Sequence, residues 1–431
     1  LYLLNLESRE LTTVSAPPVE DRASHSLGGF AWSQDSVAIV YSSNANREFG
    51  ALTEYNVQSG ETTVYHAPDK DVGNLEFCGA EQELLTWTES QDGFESLHSW
   101  HLYQQEDVTA PTLPEGSYGL SCENGMALVR VNNWQTPGDL HAFDLATGAA
   151  TRVFASNMAG LNADDLVRPQ VVRYPARDGV EVQGLLYLPE DAGTGDDAPP
   201  VVFSVHGGPS GLSGPTWDPI VQYHVARGVA VFEPNVRGST GLGRTYSTLD
   251  DREKRLDSVR DLVDLLAALD ADGLVDGERA AVMGGSYGGY MVNAVLADYP
   301  DAFAAGVSLY GVGNWITALE VASPALKAAD RIEYGDITEQ RWRDFYSEIS
   351  PVFRADQIRV PMLYSHGMMD PRIDIAETEI MVQALRENGV RADFIRIPDE
   401  GHGWRKLANR LFYFRQQAEF LEEVLGLEEA E

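Results

Sequence analysis

Lysine is nearly absent: it occurs four times in 431 residues (Lys70, Lys254, Lys327, Lys406), and all basic side chains together number 31 against 66 acidic ones, a formal charge of −35. A nucleic-acid binder releases phosphate counterions through a basic face, and no part of this chain supplies one. The deficit is spread evenly. Residues 1–165 carry 6 basic and 24 acidic groups, and residues 166–431 carry 25 and 42. An acidic tail would mark a partner-binding segment, whereas lysine-poor acidity over the whole chain reads as solubility adapted to high salt, where screening removes self-repulsion. Cysteine is scarcer still. Cys78 and Cys122, without a second pair or nearby histidine spacing, give no metal site and no disulfide framework, so two small buried apolar residues are expected. Long apolar runs are missing too: none approaches the roughly 18 residues of a membrane span, and no signal-peptide pattern opens the chain. A cytoplasmic protein without membrane association is expected, although the first residue is Leu1 and a lost targeting segment stays open.

With 43% apolar and 10% aromatic residues the chain can bury a core, and its length predicts two or three domains. Residues 1–165 read as short strands separated by turns. One set is 30–33, 37–41, 51–57 and 62–65; a second is 75–77, 83–88 and 96–103; a third is 118–121, 126–131, 139–144 and 150–154. The spacing of about 40 to 45 residues is that of a four-stranded propeller blade. A closed ring needs about four to eight blades, and 165 residues supply three and part of another, so the expectation is an incomplete all-β propeller in a fragment or a shortened relative. From residue 166 onward the pattern changes. A hairpin around Asp178-Gly179 leads to a strand at 201–206, after which strands (228–234, 280–283, 305–310, 361–366, 394–397) alternate with helices (258–269, 287–298, 409–425). That alternation predicts a mostly parallel sheet with helices on both faces, an α/β domain over 166–431.

Within this domain Gly284-Gly285-Ser286-Tyr287-Gly288 falls between a predicted strand and a predicted helix, as a nucleophile elbow requires: the turn is so tight that small residues must flank the serine. A serine hydroxyl attacks only when a base takes its proton and an acid orients the base. In the order serine, acid, histidine, only His366 and His402 follow Ser286, and His366 precedes every acid of its own loop. His402, in Glu400-Gly401-His402-Gly403, is therefore the expected base. Asp370, in the loop after the 361–366 strand, is the expected acid, with Asp374 as its rival; His366 is read as structural. The oxyanion formed by attack needs backbone donors, for which the amides of Tyr287 and Gly208 are chosen, the latter in His206-Gly207-Gly208-Pro209 after the first long strand.

These pieces, with Pro234-Asn235-Val236-Arg237-Gly238-Ser239-Thr240-Gly241, Tyr290 and Ser350-Pro351, make the stretch from about Arg168 to the end resemble the catalytic domain of the prolyl oligopeptidase family, nearest its acylaminoacyl peptidase and dipeptidyl peptidase-like branch. The resemblance implies an α/β-hydrolase domain preceded by a β-propeller, and cleavage of short peptides through an acyl-enzyme on Ser286. It suggests Tyr287, Val312, Trp315 and Ile373 as lining the specificity pocket. It implies no cofactor and no metal. The family's propeller normally closes into a gate, which this one cannot do as written, and no acidic residue can be chosen as the anchor for a substrate amine. Exopeptidase, acyl-releasing and endopeptidase modes all stay open, as do oligomeric state and residue preference. Two other readings compete: a carboxylesterase using the same triad, and a non-catalytic module binding partners through open blades. The expected partners are short peptides, with no nucleic acid and no membrane; a homo-oligomer is compatible with the sequence.

Overall fold

The computed structural model describes residues 1–16, 27–79, 83–102, 104–108, 110–123, 126–145 and 147–427, the side chains at 325 and 328–330 excepted. They form two compact units. The first comprises Leu1–Arg168 with Gly214–Asp218 and Thr240–Thr248; the second comprises Pro169–Ser213, Pro219–Ser239 and Leu249–Glu431.

The first unit is all β. Strands β1 (Tyr2–Leu4) and β2 (Leu11–Thr13) pair with each other. Three antiparallel four-stranded sheets follow: β3–β6 (Leu27–Trp32, Ala38–Ser43, Ala51–Asn56, Thr62–His66), β7–β10 (Asp71–Cys78, Leu84–Gln91, Phe94–His101, Glu106–Val108) and β11–β14 (Ser117–Glu123, Met126–Asn133, Thr136–Asp144, Ala150–Phe154). Each is a meander of neighbours in chain order, as a propeller blade is. The expected sets correspond, with two differences. The second blade has a fourth strand, β10, whose three residues are too short and polar to show alternation, and its third strand ends at His101; Tyr103, at the end of the expected run, lies outside the described residues. Between blades, Val40, Leu52, Val72, Leu75, Leu85 and Trp87 form one core cluster, and Cys78, Leu84, Ala127, Val129, Val131 and Phe143 belong to another.

The cysteines require a correction. Cys78 and Cys122 are joined in a disulfide. Their separation of 44 residues is one blade repeat, so they hold nearly equivalent positions, at the ends of the first strands of successive blades. Read as an isolated pair they carried no signal; the repeat itself brings them together.

The second unit is an eight-stranded sheet in the order β15-β16-β18-β17-β19-β20-β21-β22. Its elements are β15 (Gln170–Pro175), β16 (Glu181–Tyr187), β17 (Pro200–Val205), α1 (Pro219–Ala226), β18 (Ala230–Asn235), α2 (Arg255–Ala271), β19 (Asp276–Gly285), α3 (Tyr287–Asp298), β20 (Ala305–Leu309), α4 (Trp315–Val321), α5 (Pro324–Tyr334), α6 (Gln340–Ile349), β21 (Met362–Gly367), α7 (Ala376–Glu387), β22 (Ala392–Ile397) and α8 (Leu407–Val424). The first two strand pairs are antiparallel and the rest parallel. Val201, Val202, Phe203, Ala281, Val282 and Val307 are fully buried, as strands covered on both faces demand. Helix α2 buries Val259, Leu262, Leu265, Leu266 and Leu269, a stripe at helical spacing that packs onto the sheet. Helix α3 buries eleven of its twelve residues, which is why it reads as apolar all round. Strand β17 is flanked by β18 on one side and β19 on the other, so the chain order reverses there. The carboxyl ends at such a reversal open a crevice in which ligands of α/β sheets bind.

Candidate active site

Both loops leaving that crevice carry expected site residues. Ser286 follows β19 with φ 59° and ψ −120°, and α3 starts at the next residue. The flanking glycines are needed for space: a Cβ on Gly284 would lie 2.6 Å from the Gly288 carbonyl group, and one on Gly288 would fall within 3.0 Å of the His206 carbonyl oxygen. Holding a non-glycine residue in this conformation costs about 1–3 kcal/mol, a cost that recurs at reactive sites. The loop after β17 passes beside the serine, since a Cβ on Gly207 would be 3.4 Å from Ser286 Cβ. Gly208 has φ 137°, which only glycine adopts readily. His206 anchors the loop, with Nδ1 2.9 Å from Gly207 O and Nε2 3.0 Å from Ser239 Oγ. Burial pushes its pKa down, so the ring is neutral.

Asp370 and His402 meet. Asp370 Oδ2 lies 2.6 Å from His402 Nδ1, and Asp370 Oδ1 accepts the N–H groups of Arg372 (2.8 Å) and Ile373 (3.1 Å). The Asp370 side chain is 1% exposed. Burial by itself would raise this carboxyl, but the bonds from His366 and His402 and the Arg372 N–H outweigh it and hold the group well below the ordinary carboxylate range. The aspartate is therefore ionised and accepts from His402 Nδ1, and the imidazole tautomer that donates from Nδ1 has its lone pair on Nε2. Among the described residues that buried Nε2 makes no hydrogen bond. Asp374 is engaged elsewhere, its Oδ1 accepting the Ala376 N–H at the start of α7. His366 Nε2 faces two acceptors, Ile373 O at 3.1 Å and Asp370 Oδ2 at 3.4 Å, so it carries the proton and Nδ1 accepts from Thr378 Oγ1 at 2.8 Å. The loops of Asp370 and His402 are tied together, because Met369 N–H donates to Glu400 O and the Glu400 carboxylate accepts the Arg405 and Lys406 N–H groups.

Tyr310, which the sequence reading missed, spans the site. It follows β20 with φ 39°, and its ring lies 4.5 Å from that of His402. A Cβ on Gly285, the residue before Ser286, would be 3.0 Å from its hydroxyl. The signal was available: Tyr310 directly follows the strand next to the elbow strand, where a side chain must overhang the crevice. The elbow and the imidazole thus both lie beside one phenol.

The expected pocket residues fall in two places. Tyr287, Val312 and Trp315 are each 4% exposed, and the rings of Tyr287 and Trp315 both touch Tyr290, at 5.6 and 4.8 Å. Ser350 explains its own motif: its Oγ accepts the Trp315 N–H at 2.9 Å and donates to Tyr346 O, fixing the loop that presents the tryptophan. Ile373 sits apart, half-buried in the Asp370 loop. Arg237 of the Asn-Val-Arg-Gly motif ties the domain together through Asp261 (Nε to Oδ1, 3.0 Å) and Asp178 (Nη1 to Oδ2, 2.7 Å), which accounts for the Asp178-Gly179 hairpin.

Residues 215–428 match the prolyl oligopeptidase family. Among curated proteins, dipeptidyl aminopeptidase BIII of Pseudoxanthomonas mexicana is 28% identical, covering 95% of this chain and 61% of that protein. Among solved structures, a puromycin hydrolase superposes with a TM-score of 0.87 at 23% identity, covering 98% of this chain and 64% of that one. The acylaminoacyl peptidase of Pyrococcus horikoshii gives 0.75 at 22%, covering 92% and 63%. The chain thus spans about three fifths of the length of these relatives. An α/β-hydrolase sheet with a glycine-flanked elbow, following propeller blades in the chain and carrying that match, places residues 215–428 in the prolyl oligopeptidase family.

Proposed function

We propose that this protein is a serine peptidase that cleaves short peptides through an acyl-enzyme on Ser286. The observation that carries the reading is the 2.6 Å contact of Asp370 with His402 Nδ1, which leaves Nε2 without a hydrogen bond among the described residues. In this mechanism His402 Nε2 takes the Ser286 proton as Oγ attacks the carbonyl carbon, and later gives it to the leaving amine; water then repeats the sequence on the ester. Asp370 stabilises the imidazolium. The amides of Tyr287 and Gly208 face the developing oxyanion, each such donor being worth about 3–4 kcal/mol in the transition state. The dipeptidyl aminopeptidase among the relatives and, at 26% identity, the acylamino-acid-releasing enzyme of Arabidopsis thaliana support release of a short or blocked N-terminal unit. A fluorophosphonate should add once, on Ser286, by intact mass, and Ser286→Ala should lower kcat by up to about a millionfold. A folded protein that takes no adduct would defeat the mechanism, and turnover of esters but not of matched anilides would make it an esterase.

The charge of −35 supports a high-salt environment as the working one. Stability should fall as salt drops below about 0.1 M, where the Debye length exceeds about 10 Å. Unfolding temperatures that do not change between dilute and molar salt would remove that reading.

A further inference from the structure

The supports of the elbow, the acid and the base meet at one side chain that has no part in the proton transfers. Tyr310 follows β20, and the backbone there is held from both sides. Ser286 N–H donates to Leu309 O at 2.9 Å, and Tyr310 N–H donates to Ser365 O of β21 at 2.8 Å. The residue therefore leaves the sheet between the elbow and the strand that carries the acid loop. Its φ of 39° is costly for a bulky side chain, and such strain persists where the surroundings over-determine it.

The ring packs into the base loop. Its centroid is 4.5 Å from that of His402 and 5.6 Å from that of Trp404, the two residues that flank Gly403, and a Cβ on Gly403 would lie 3.9 Å from its hydroxyl. Trp404 is braced in turn by Tyr413 of α8, at 5.3 Å. The same ring reaches the elbow. The three atoms nearest to a Cβ on Gly285 would be the Tyr310 hydroxyl at 3.0 Å, Cε2 at 3.1 Å and Cζ at 3.2 Å. At Gly284 and Gly288 the obstacles are backbone atoms, as a tight elbow demands; at Gly285 they are one phenol. Gly285 has no left-handed φ, so the turn itself does not require a glycine there.

We propose that Tyr310 is a positioning residue: its ring, packed against the elbow and the base loop at once, sets the reach of His402 Nε2 to Ser286 Oγ, and position 285 is glycine to admit it. The inference rests on Ser286 being the nucleophile and His402 its base. The Asp370 bond cannot do this alone. It holds the imidazole at Nδ1, and a ring held at one atom can still swing about that contact; the phenol packed against it blocks the swing. Proton transfer needs heavy atoms within about 2.6–3.2 Å of each other, and a misplacement of about 1 Å costs about a hundredfold.

The test is a cycle of Tyr310→Leu, Gly285→Ala and the double variant in the full chain at high salt, with Tyr310→Phe beside it. kcat and KM on one nitroanilide are normalised to the sites that a fluorophosphonate labels at completion, so misfolded protein is not counted. Tyr310→Leu should lower kcat by about a hundredfold and leave KM within about twofold. Tyr310→Phe, which keeps the ring, should stay within about threefold of the wild type. Gly285→Ala should lower kcat about tenfold by displacing the phenol, and by less than about twofold in the Tyr310→Leu background, where nothing is left to displace. Should Tyr310→Leu not fold, Gly285→Ala decides, and an unchanged kcat there overturns the proposal. In folded variants, an unchanged kcat, an effect on KM alone, a loss in Tyr310→Phe equal to that in Tyr310→Leu, or independent losses in the cycle each overturn the positioning role. Any of these leaves the peptidase standing so long as the wild type labels on Ser286 and turns over. A wild type that does neither overturns both.

Discussion

Asp370→Asn separates the role of the carboxylate from its packing. The amide oxygen of the asparagine can take the place of Oδ1 and keep the N–H bonds from Arg372 and Ile373, so the loop should hold its shape. The amide nitrogen then faces His402 Nδ1, where the carboxylate oxygen stood at 2.6 Å. Two donors cannot share that contact, so the imidazole must move its proton to Nε2 and present Nδ1 as acceptor. In that tautomer Nε2 cannot accept the Ser286 proton. Loss of the correct tautomer with geometry intact lowers kcat by about ten-thousandfold, or about 5 kcal/mol at 1.36 kcal/mol per decade. KM should change little, since no substrate contact is removed. Steady-state turnover of a good nitroanilide, with the rate of fluorophosphonate labelling as a second readout, measures the effect, and the circular dichroism melt verifies folding. A folded Asp370→Asn retaining more than about a tenth of kcat would refute the assignment of Asp370 as the group that fixes the tautomer.

Arg237→Ala leaves Asp261, fully buried, without its partner and should cost about 3–5 kcal/mol in denaturant unfolding; a loss under about 1 kcal/mol would mean the pair is not holding the domain. Reducing Cys78–Cys122, which closes a 44-residue separation, should destabilise the blade unit by about 4 kcal/mol, seen as a lower melting temperature with reductant and none in Cys78→Ser; the same shift in both proteins would assign it to the reductant. Burial pushes the Glu333 carboxyl up to about 7 against the pull of Arg255, with Asp250, Asp251 and Tyr334 facing the same groups. A carboxyl raised on folding is neutral below that value and ionises as pH rises through about 7. The stability share of the same group is lost over that rise, from its unfolded value of 4.5 upward, and denaturant unfolding of wild type and Glu333→Gln that keeps a constant difference from pH 4.5 to 7 would refute it.

The fold and the order of the candidate site were legible because each left a local mark. Blade spacing showed as a repeat, the elbow as glycines that leave no room for a Cβ at 284 or 288, and the acid and base as loops directly after strands. Helices α4 to α6 are absent from the sequence reading although α6 buries Trp342, Tyr346 and Ile349 at helical spacing, a stripe that its ten residues keep short.

What the sequence determined by itself was therefore what depends on backbone geometry: an α/β sheet after β blades, a serine on a tight turn, a histidine between glycines. The tertiary structure decided what depends on contacts far apart in the chain. It joined two cysteines one blade repeat apart, gave the carboxylate of Asp370 rather than Asp374 to His402, set Tyr310 beside both elbow and base, and gathered Asp250, Arg255 and Glu333 behind Tyr287. Apart from the cysteines, which the blade repeat brings together, no periodicity encodes such meetings, because they follow from which strand ends lie side by side once the order of the sheet reverses.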